Sequence, residues 1–452
     1  MFSRFLESSG GKTLALLLLL CSCIPSFAQH QLRFTPYHAS GIYKLGEVAG
    51  WRVTSTPATT TLHYSYTVRT NNTDVIKSGP LDMTSGAAAI EVHISQPAMI
   101  FVEVVADPQP DSPETKATAT TAPQAADPKA QHTVEADLGA AIAPTELKPS
   151  APRPSDFDAF WQARLKQLAA VPLDPQLAPV AGDHDGVSLY TVKLASVDSH
   201  VQGYLAVPAS PGKHPALILY QYAGVYKLRP EGVVAHAAEG WLTLDVDSHD
   251  IPPTADTGVP TEYYKIGDRD REKSYFLDMY LRDTRAIDYI QSLPDWDGKT
   301  IVLAGTSMGG QQSVVTAGLN PGRVTAVIVN EPSGADTNGN LHGRKAGYPY
   351  WDSTDPDAMK TALYFDPVNF ASLIKAKIIM AVGFLDTSAP PVGLWTAFNQ
   401  IAAPKEIIPM IESAHNNKTP DKQANFLTRS KEALEILRQG VPLVMEPLAQ
   451  PD

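Results

Sequence analysis

The sequence predicts an α/β fold, a mostly parallel and doubly wound sheet, preceded by a small all-β sandwich. Three observations predict it. Up to Ala106, short runs of alternating apolar and polar residues are broken by turn residues. Beyond Pro154, helical periodicity alternates with apolar strand-length runs, the pattern of a parallel sheet covered by helices. Between them lies a stretch rich in Pro, Thr, Ala and Asp with too few bulky apolar residues to build a core. A chain of 452 residues is long enough for two or three such units.

Residues 1–28 have the make-up of a cleavable signal peptide: Arg4 and Lys12 at the start, an apolar run over 14–20, then Ser26-Phe27-Ala28 before Gln29. That run is too short for a stable bilayer span, and no later stretch is long and apolar enough to be one. A weaker alternative is a loose lipobox, Leu20-Cys21-Ser22-Cys23, that would lipidate Cys23; Cys21 fits it poorly. Either reading makes the protein secreted or periplasmic. Cys21 and Cys23 are the only cysteines, so the rest of the chain has neither a disulfide framework nor a cysteine metal site.

The sandwich is expected over 29–148. Leu62, Tyr64, Tyr66 and Val68 alternate with polar neighbours, as do Ile90, Val92 and Ile94, and Ile100, Val102 and Val104 follow Pro97; Asn71-Asn72 and Ser85-Gly86 supply the breaks. Residues 107–131 are expected to be mobile. Whether 133–143, with Val134, Leu138 and Ile142, returns as a last strand is open from pattern alone. The boundary falls at 149–154, and the second unit runs from 149 to 452.

In that unit Ser155-Asp156 can cap a helix with Phe157, Phe160, Trp161 and Leu165 on one side. Strands are expected over 187–194 and 201–207, joined by a polar turn. The run 216–220 lacks alternation, as suits a strand covered on both faces. Then come a helix over 233–240, a strand over 242–246, a long amphipathic helix over 275–291 and strands over 300–304, 326–329, 378–382 and 407–410. In such folds the site lies at the carboxyl ends of the strands.

Those ends carry the chemistry. Gly305-Thr306-Ser307-Met308-Gly309-Gly310 follows the strand 300–304 and precedes a helical run through Gln311, Val314 and Val315. A glycine-rich turn alone is commonplace, but in this strand, turn and helix setting it is a nucleophile elbow that projects Ser307. A serine needs a base to take its proton, and the base needs a carboxylate to orient it. Asp386 follows the strand 378–382 and His415 follows 407–410, which gives the chain order serine, acid, histidine. His342, the other histidine after Ser307, stands before Asp386 and has the wrong order. The oxyanion hole is expected to use the Met308 amide and one from Gln221-Tyr222-Ala223-Gly224, with Ala223 favoured and Tyr222 open. Neither metal nor cofactor is called for. With 36 Lys and Arg against 48 Asp and Glu the net charge is −12, which leaves no basic footprint for nucleic acid.

Over about 156–415 the residues resemble the acetyl xylan esterase and cephalosporin C deacetylase group of α/β hydrolases, carbohydrate esterase family seven. The resemblance rests on Phe157-Asp158-Ala159-Phe160-Trp161, Tyr280-Leu281-Arg282-Asp283-Thr284-Arg285-Ala286 with Ser292-Leu293-Pro294, and the elbow. Its specific part is Tyr364-Phe365-Asp366-Pro367-Val368-Asn369-Phe370-Ala371 and Gly383-Phe384-Leu385-Asp386 with Pro390-Pro391. This chain departs from the pattern in three places. Met308 stands where the family usually has Gln, Gln221-Tyr222-Ala223 where it has His-Gly-Tyr, and Asp247-Ser248-His249-Asp250 where it has Arg-Gly-Gln. The sandwich is extra, so the resemblance implies a divergent branch.

The resemblance implies a serine esterase with Ser307, Asp386 and His415 as triad, acting on small acyl groups, chiefly acetyl, of an oligo- or polysaccharide or another small acetyl ester. Pocket walls are expected from the 250–264 and 338–351 loops, and an oligomer is possible. The first rival is a serine peptidase of the prolyl oligopeptidase type, for which about 120 residues before the hydrolase are too few to make a propeller. The second is a carbohydrate-binding protein with an inert hydrolase domain, against which the intact Ser, Asp and His stand. The sandwich is expected to be accessory to the chemistry.

Overall fold

The computed structural model describes residues 31–56, 63–106, 133–182, 184, 186–416 and 419–448. Residues 1–28 with Cys21 and Cys23, and the segment 107–131, lie outside them. Among the described residues no helix is long and apolar enough to cross a membrane.

The amino-terminal part contains β1 (Gln31–Pro36), β2 (Ile42–Tyr43), β3 (Val48–Thr56), β4 (Tyr64–Thr70), β5 (Asp74–Leu81), β6 (Ala87–His93), β7 (Ala98–Ala106) and β8 (Thr133–Ile142). They form a three-stranded sheet, β1-β3-β6, and a five-stranded sheet, β2-β8-β7-β4-β5. Alternation decides which residues face inward: Val102 and Val104 are wholly buried against Trp51, Val53 and Ile90, while Glu103 between them points away. The open question over 133–143 is resolved by β8, which pairs along β7 with Val102 opposite Leu138.

The second part begins with α1 (Phe157–Ala169), then β9 (Gln176–Pro179), β10 (Ser188–Ala195), β11 (His200–Val207), β12 (His214–Tyr220), α2 (Pro230–Glu239), β13 (Leu242–Val246), α3 (Tyr275–Ser292), β14 (Trp296–Thr306) and α4 (Met308–Leu319). It continues with β15 (Ala326–Asn330), α5 (Pro356–Ala362), α6 (Pro367–Ala371), β16 (Lys377–Gly383), α7 (Pro391–Gln400), β17 (Lys405–Met410) and α8 (Ala424–Arg438). The nine strands run β17-β16-β15-β14-β12-β13-β11-β10-β9, parallel from β17 to β13 and antiparallel beyond.

The missing alternation in β12 has the expected cause. Ala216, Ile218 and Tyr220 pack on one face with α3, α4 and α7, whereas Leu217 packs on the other with Trp241 and α8. This is an α/β-hydrolase fold, doubly wound, behind a β-sandwich. One local expectation fails: Asp156 stands at the start of α1, yet its side chain caps no helix amide. The carboxylate instead accepts from Tyr364 Oη at 2.5 Å and pairs with Arg271 at 2.7 Å, two strong tertiary partners in place of one cap.

The two parts share a core. Ile42, Met99 and Ala141 of the sandwich, with Leu147 after it, belong to the same buried cluster as β12, α3 and α7. Asn399 Nδ2 donates to the carbonyls of Pro144 and Leu147, both at 2.9 Å, and Ser150 bonds Asp336 through its amide (2.8 Å) and hydroxyl (2.7 Å).

Candidate active site

Ser307 sits in the tight turn from β14 into α4 with φ 57° and ψ −121°, a conformation costly for a side-chain-bearing residue. The glycines make the turn possible: a Cβ on Gly305 would lie 2.3 Å from the Gly309 carbonyl carbon, and one on Gly309 would lie 2.1 Å from the Tyr220 oxygen. Strand, elbow and the loop after β12 are thereby pressed together.

The three residues singled out in the sequence meet here. Ser307 Oγ is 2.9 Å from His415 Nε2, and His415 Nδ1 is 2.7 Å from Asp386 Oδ2. Asp386 is wholly buried, and its Oδ1 accepts the amides of Ser388 (2.8 Å) and Ala389 (2.7 Å), which fixes the carboxylate plane. A carboxylate only accepts, so Nδ1 carries the hydrogen and neutral His415 keeps a lone pair on Nε2 aimed at the serine hydroxyl. His342, the rejected histidine, lies in the 337–342 turn.

Met308 begins α4, where helix amides have no partner within the helix. In the facing loop the Gly224 amide is engaged with Tyr263 Oη at 3.3 Å, while the amide of Ala223 meets no protein acceptor among the described residues. Ala223 packs on the apolar cluster that contains Met308.

Several side chains around this loop had no role assigned from the sequence. The hydroxyls of Tyr263 and Tyr348 are 2.7 Å apart and both reach Met308 Sδ, at 3.3 and 3.2 Å. These tyrosines come from the two loops expected to wall the pocket. The Asp247-Ser248-His249 segment lies behind the 221–224 loop and fastens it. The Ser248 amide donates to Gln221 Oε1 at 2.9 Å, and the Gln312 side chain donates to the Gln221 carbonyl at 2.9 Å. His249 lies 3.1 Å from the Gly224 oxygen through Nε2 and 2.7 Å from Tyr275 Oη through Nδ1. Burial pushes its pKa down to about 4 against the opposing pull of the Gly224 carbonyl. The ring is therefore neutral at pH 7, donates from Nε2 and accepts the Tyr275 hydroxyl at Nδ1. Burial also pushes Asp247 up to about 7, although the His249 amide (2.8 Å) and Arg282 oppose it.

Among the described residues, the one cluster of acidic and histidine side chains with converging ligand atoms is Glu331, Asp386 and His415, all within 4.8 Å of one another. Both His415 nitrogens are already turned toward Ser307 and Asp386.

The family model for acetyl xylan esterase (AXE1) matches residues 144–430. The acetyl esterase Axe7A of Xylanibacter ruminicola is 30% identical over 418 residues, covering 87% of this chain and 89% of that protein. The acetyl xylan esterase of Paenibacillus sp. R4 superposes with a TM-score of 0.56 at 24% identity, over 64% of this chain and 98% of that one. Acetyl xylan esterase 1 of Thermoanaerobacterium sp. JW/SL YS485 gives a TM-score of 0.55 at 22% identity, over 63% and 97%. These two structures establish the fold.

Proposed function

The chain belongs to the acetyl xylan esterase family, and from that premise we propose that it is an exported serine esterase that removes acetyl groups from carbohydrate through an acyl-enzyme. The observation that carries the reading is the unbroken hydrogen-bonded line from Ser307 through His415 to Asp386, at 2.9 and 2.7 Å. Ser307 Oγ attacks the acetyl carbonyl carbon while its proton passes to His415 Nε2. Asp386 stabilises the imidazolium. The oxyanion is held by the amides of Met308 and Ala223, whose worth is greatest in the transition state. The tetrahedral intermediate collapses, the C–O bond to the sugar breaks, and the sugar oxygen takes the proton back from Nε2. Water then attacks acetyl-Ser307 with His415 as base, acetate leaves, and the serine is restored.

The choice of acetyl rests on the relatives' names, one an acetyl esterase and two acetyl xylan esterases. Tyr222 and Tyr350, 55% and 54% exposed, offer aromatic faces near the oxyanion loop and the Tyr348 turn against which a sugar ring can pack. The test is acetate released from acetylated xylan and xylo-oligosaccharides by the wild type and by Ser307→Ala. Release by the folded wild type and none by the variant is expected; equal release by both refutes the mechanism. Export is tested separately by sequencing the amino terminus of the mature protein, which should begin at Gln29.

A further inference from the structure

Three adjacent parallel strands end at this site, and the expected triad uses two of them for the acid and the base. The third, β15, is followed directly by Glu331. This residue holds φ 45°, uncommon for any residue but glycine and a few others, and its side chain is wholly buried. Its amide donates to the Ala381 carbonyl of β16 at 3.1 Å. Its Oε1 accepts Ser413 Oγ at 3.1 Å, two residues before His415. Gln423 Nε2 donates to the same Ser413 oxygen at 3.1 Å, and Asn330 Nδ2 donates to Gln423 Oε1 at 3.1 Å. A niche has been kept for this carboxylate: a Cβ on Gly383, three residues before Asp386, would lie 2.3 Å from Glu331 Oε1.

We propose that Glu331 is a positioning residue for His415, a second carboxylate that fixes the base loop through Ser413 and shares with Asp386 the stabilisation of the imidazolium. This inference rests on the serine-esterase reading above. The geometry carries it: a Glu331 oxygen, an Asp386 oxygen and a His415 nitrogen all lie within 4.8 Å of one another. At that separation and this burial a negative charge acts on the imidazolium with little screening. Asp386 Oδ2 makes the hydrogen bond to the ring, and Glu331 acts through its field and through the Ser413 loop. Among the described residues, the titratable groups in the cleft beside the His415 loop are Glu412, Lys422 before α8, and Arg33, Glu135 and Asp137 of the sandwich. All five line an open cleft of about 660 Å³, where solvent weakens them.

The test uses the full chain with p-nitrophenyl acetate and the variants Glu331→Gln, Asp386→Asn, the double variant and Ser413→Ala. Glutamine keeps the shape and an acceptor for Ser413, so Glu331→Gln isolates the charge. Its expected effect is a kcat lower by about tenfold with KM unchanged, and an acidic limb of kcat/KM displaced to lower pH because the imidazolium has lost a neighbouring anion. The Glu331→Gln factor should be larger in the Asp386→Asn background than in the wild type, the signature of two groups sharing one task. Ser413→Ala keeps the charge and drops the loop bond, so it should lower kcat and leave the limb where it is. A purely structural Glu331 would change the melting temperature, leave the limb in place and give the same factor in both backgrounds; that result overturns the proposal. So does Ser413→Ala at wild-type kcat. A Ser307→Ala protein that still turns over defeats the serine-esterase reading itself and takes this proposal with it.

Discussion

Replacing Gly139 by alanine should slow catalysis although Gly139 lies in the sandwich, far along the chain from Ser307, Asp386 and His415. A Cβ at Gly139 would stand 2.6 Å from Phe384 Cβ, 3.1 Å from the Phe384 oxygen and 3.2 Å from Leu385 Cδ2. Carbon atoms sit comfortably at about 3.5–4.0 Å, so one partner must give by about 1 Å. Gly139 is held in register opposite Phe101 in the β7–β8 ladder, whereas Phe384 lies in the turn after β16, two residues before Asp386. The prediction is that the turn yields to the ladder and that the displacement passes to Asp386 two residues on. A misplacement of about 1 Å in a catalytic constellation can cost about a hundredfold, and overpacking costs about 1–3 kcal/mol in stability. The assay is kcat and KM on p-nitrophenyl acetate beside thermal unfolding. The expected result is kcat lower by about 10- to 100-fold, KM little changed and a cooperative but earlier melt. A Gly139→Ala protein with wild-type kcat and melting temperature would refute the reasoning. The same contact bears on the expectation that the sandwich is accessory. A chain beginning near Pro149 would lose the buried Ile42 and Met99 from the shared core, at about 1.5–3 kcal/mol each. Together that is about 3–6 kcal/mol, which reaches the lower end of the net stability of a domain, about 5–15 kcal/mol.

Ser307→Ala should lower turnover by about a thousandfold or more while leaving the melt almost unchanged, since it deletes one hydroxyl; active-site titration and unfolding on one preparation check this. His249→Ala removes the donor to the Gly224 carbonyl and should lower kcat by about tenfold or more through the oxyanion loop with KM little affected; recovery by His249→Gln, which can still donate, would separate positioning from packing. His249 also makes a pH prediction. Its folded pKa of about 4 lies below the ordinary 6.5, so the unfolded chain binds the extra proton in that window and this contribution to stability is lost as pH falls from 6.5 to 4, by at most about 3 kcal/mol. Asp247, raised to about 7, acts with the opposite sign, so the quantity to measure is the difference between wild type and His249→Gln. That difference should shrink on acidification, and a constant difference would show that His249 is not held neutral.

The sequence displayed whatever one segment of backbone decides for itself. The elbow is local, since strand, strained serine and flanking glycines lie within a dozen residues, and it stands where the motif indicated. That Asp386 and His415 would meet Ser307 was legible for a similar reason: each follows an apolar strand closely, and chain order orders the strand ends. What depended on distant partners was hidden. Asp156 has a capping residue's sequence setting, but Tyr364 and Arg271 claim its carboxylate. The pairing of β8 could not be read because β7 lies across residues 107–132. Tyr263 and Tyr348 meet at one methionine sulfur from loops separated by the elbow itself. Glu331 did leave a trace, an acid at the end of the strand between those of Ser307 and Asp386, but a strand-end acid is commonplace until Gly383 is known to have made room for it. Gly383, Gly139 and Gly41 then have one meaning. Each lets a neighbour come into contact with the turn after β16 or with Ile411 in the His415 loop: Glu331 from within the sheet, the sandwich from outside it. The Asp386 and His415 turns are thus gripped from two directions, and substitutions at Gly41 and Gly139 in the sandwich should reach them through Phe384 and Ile411.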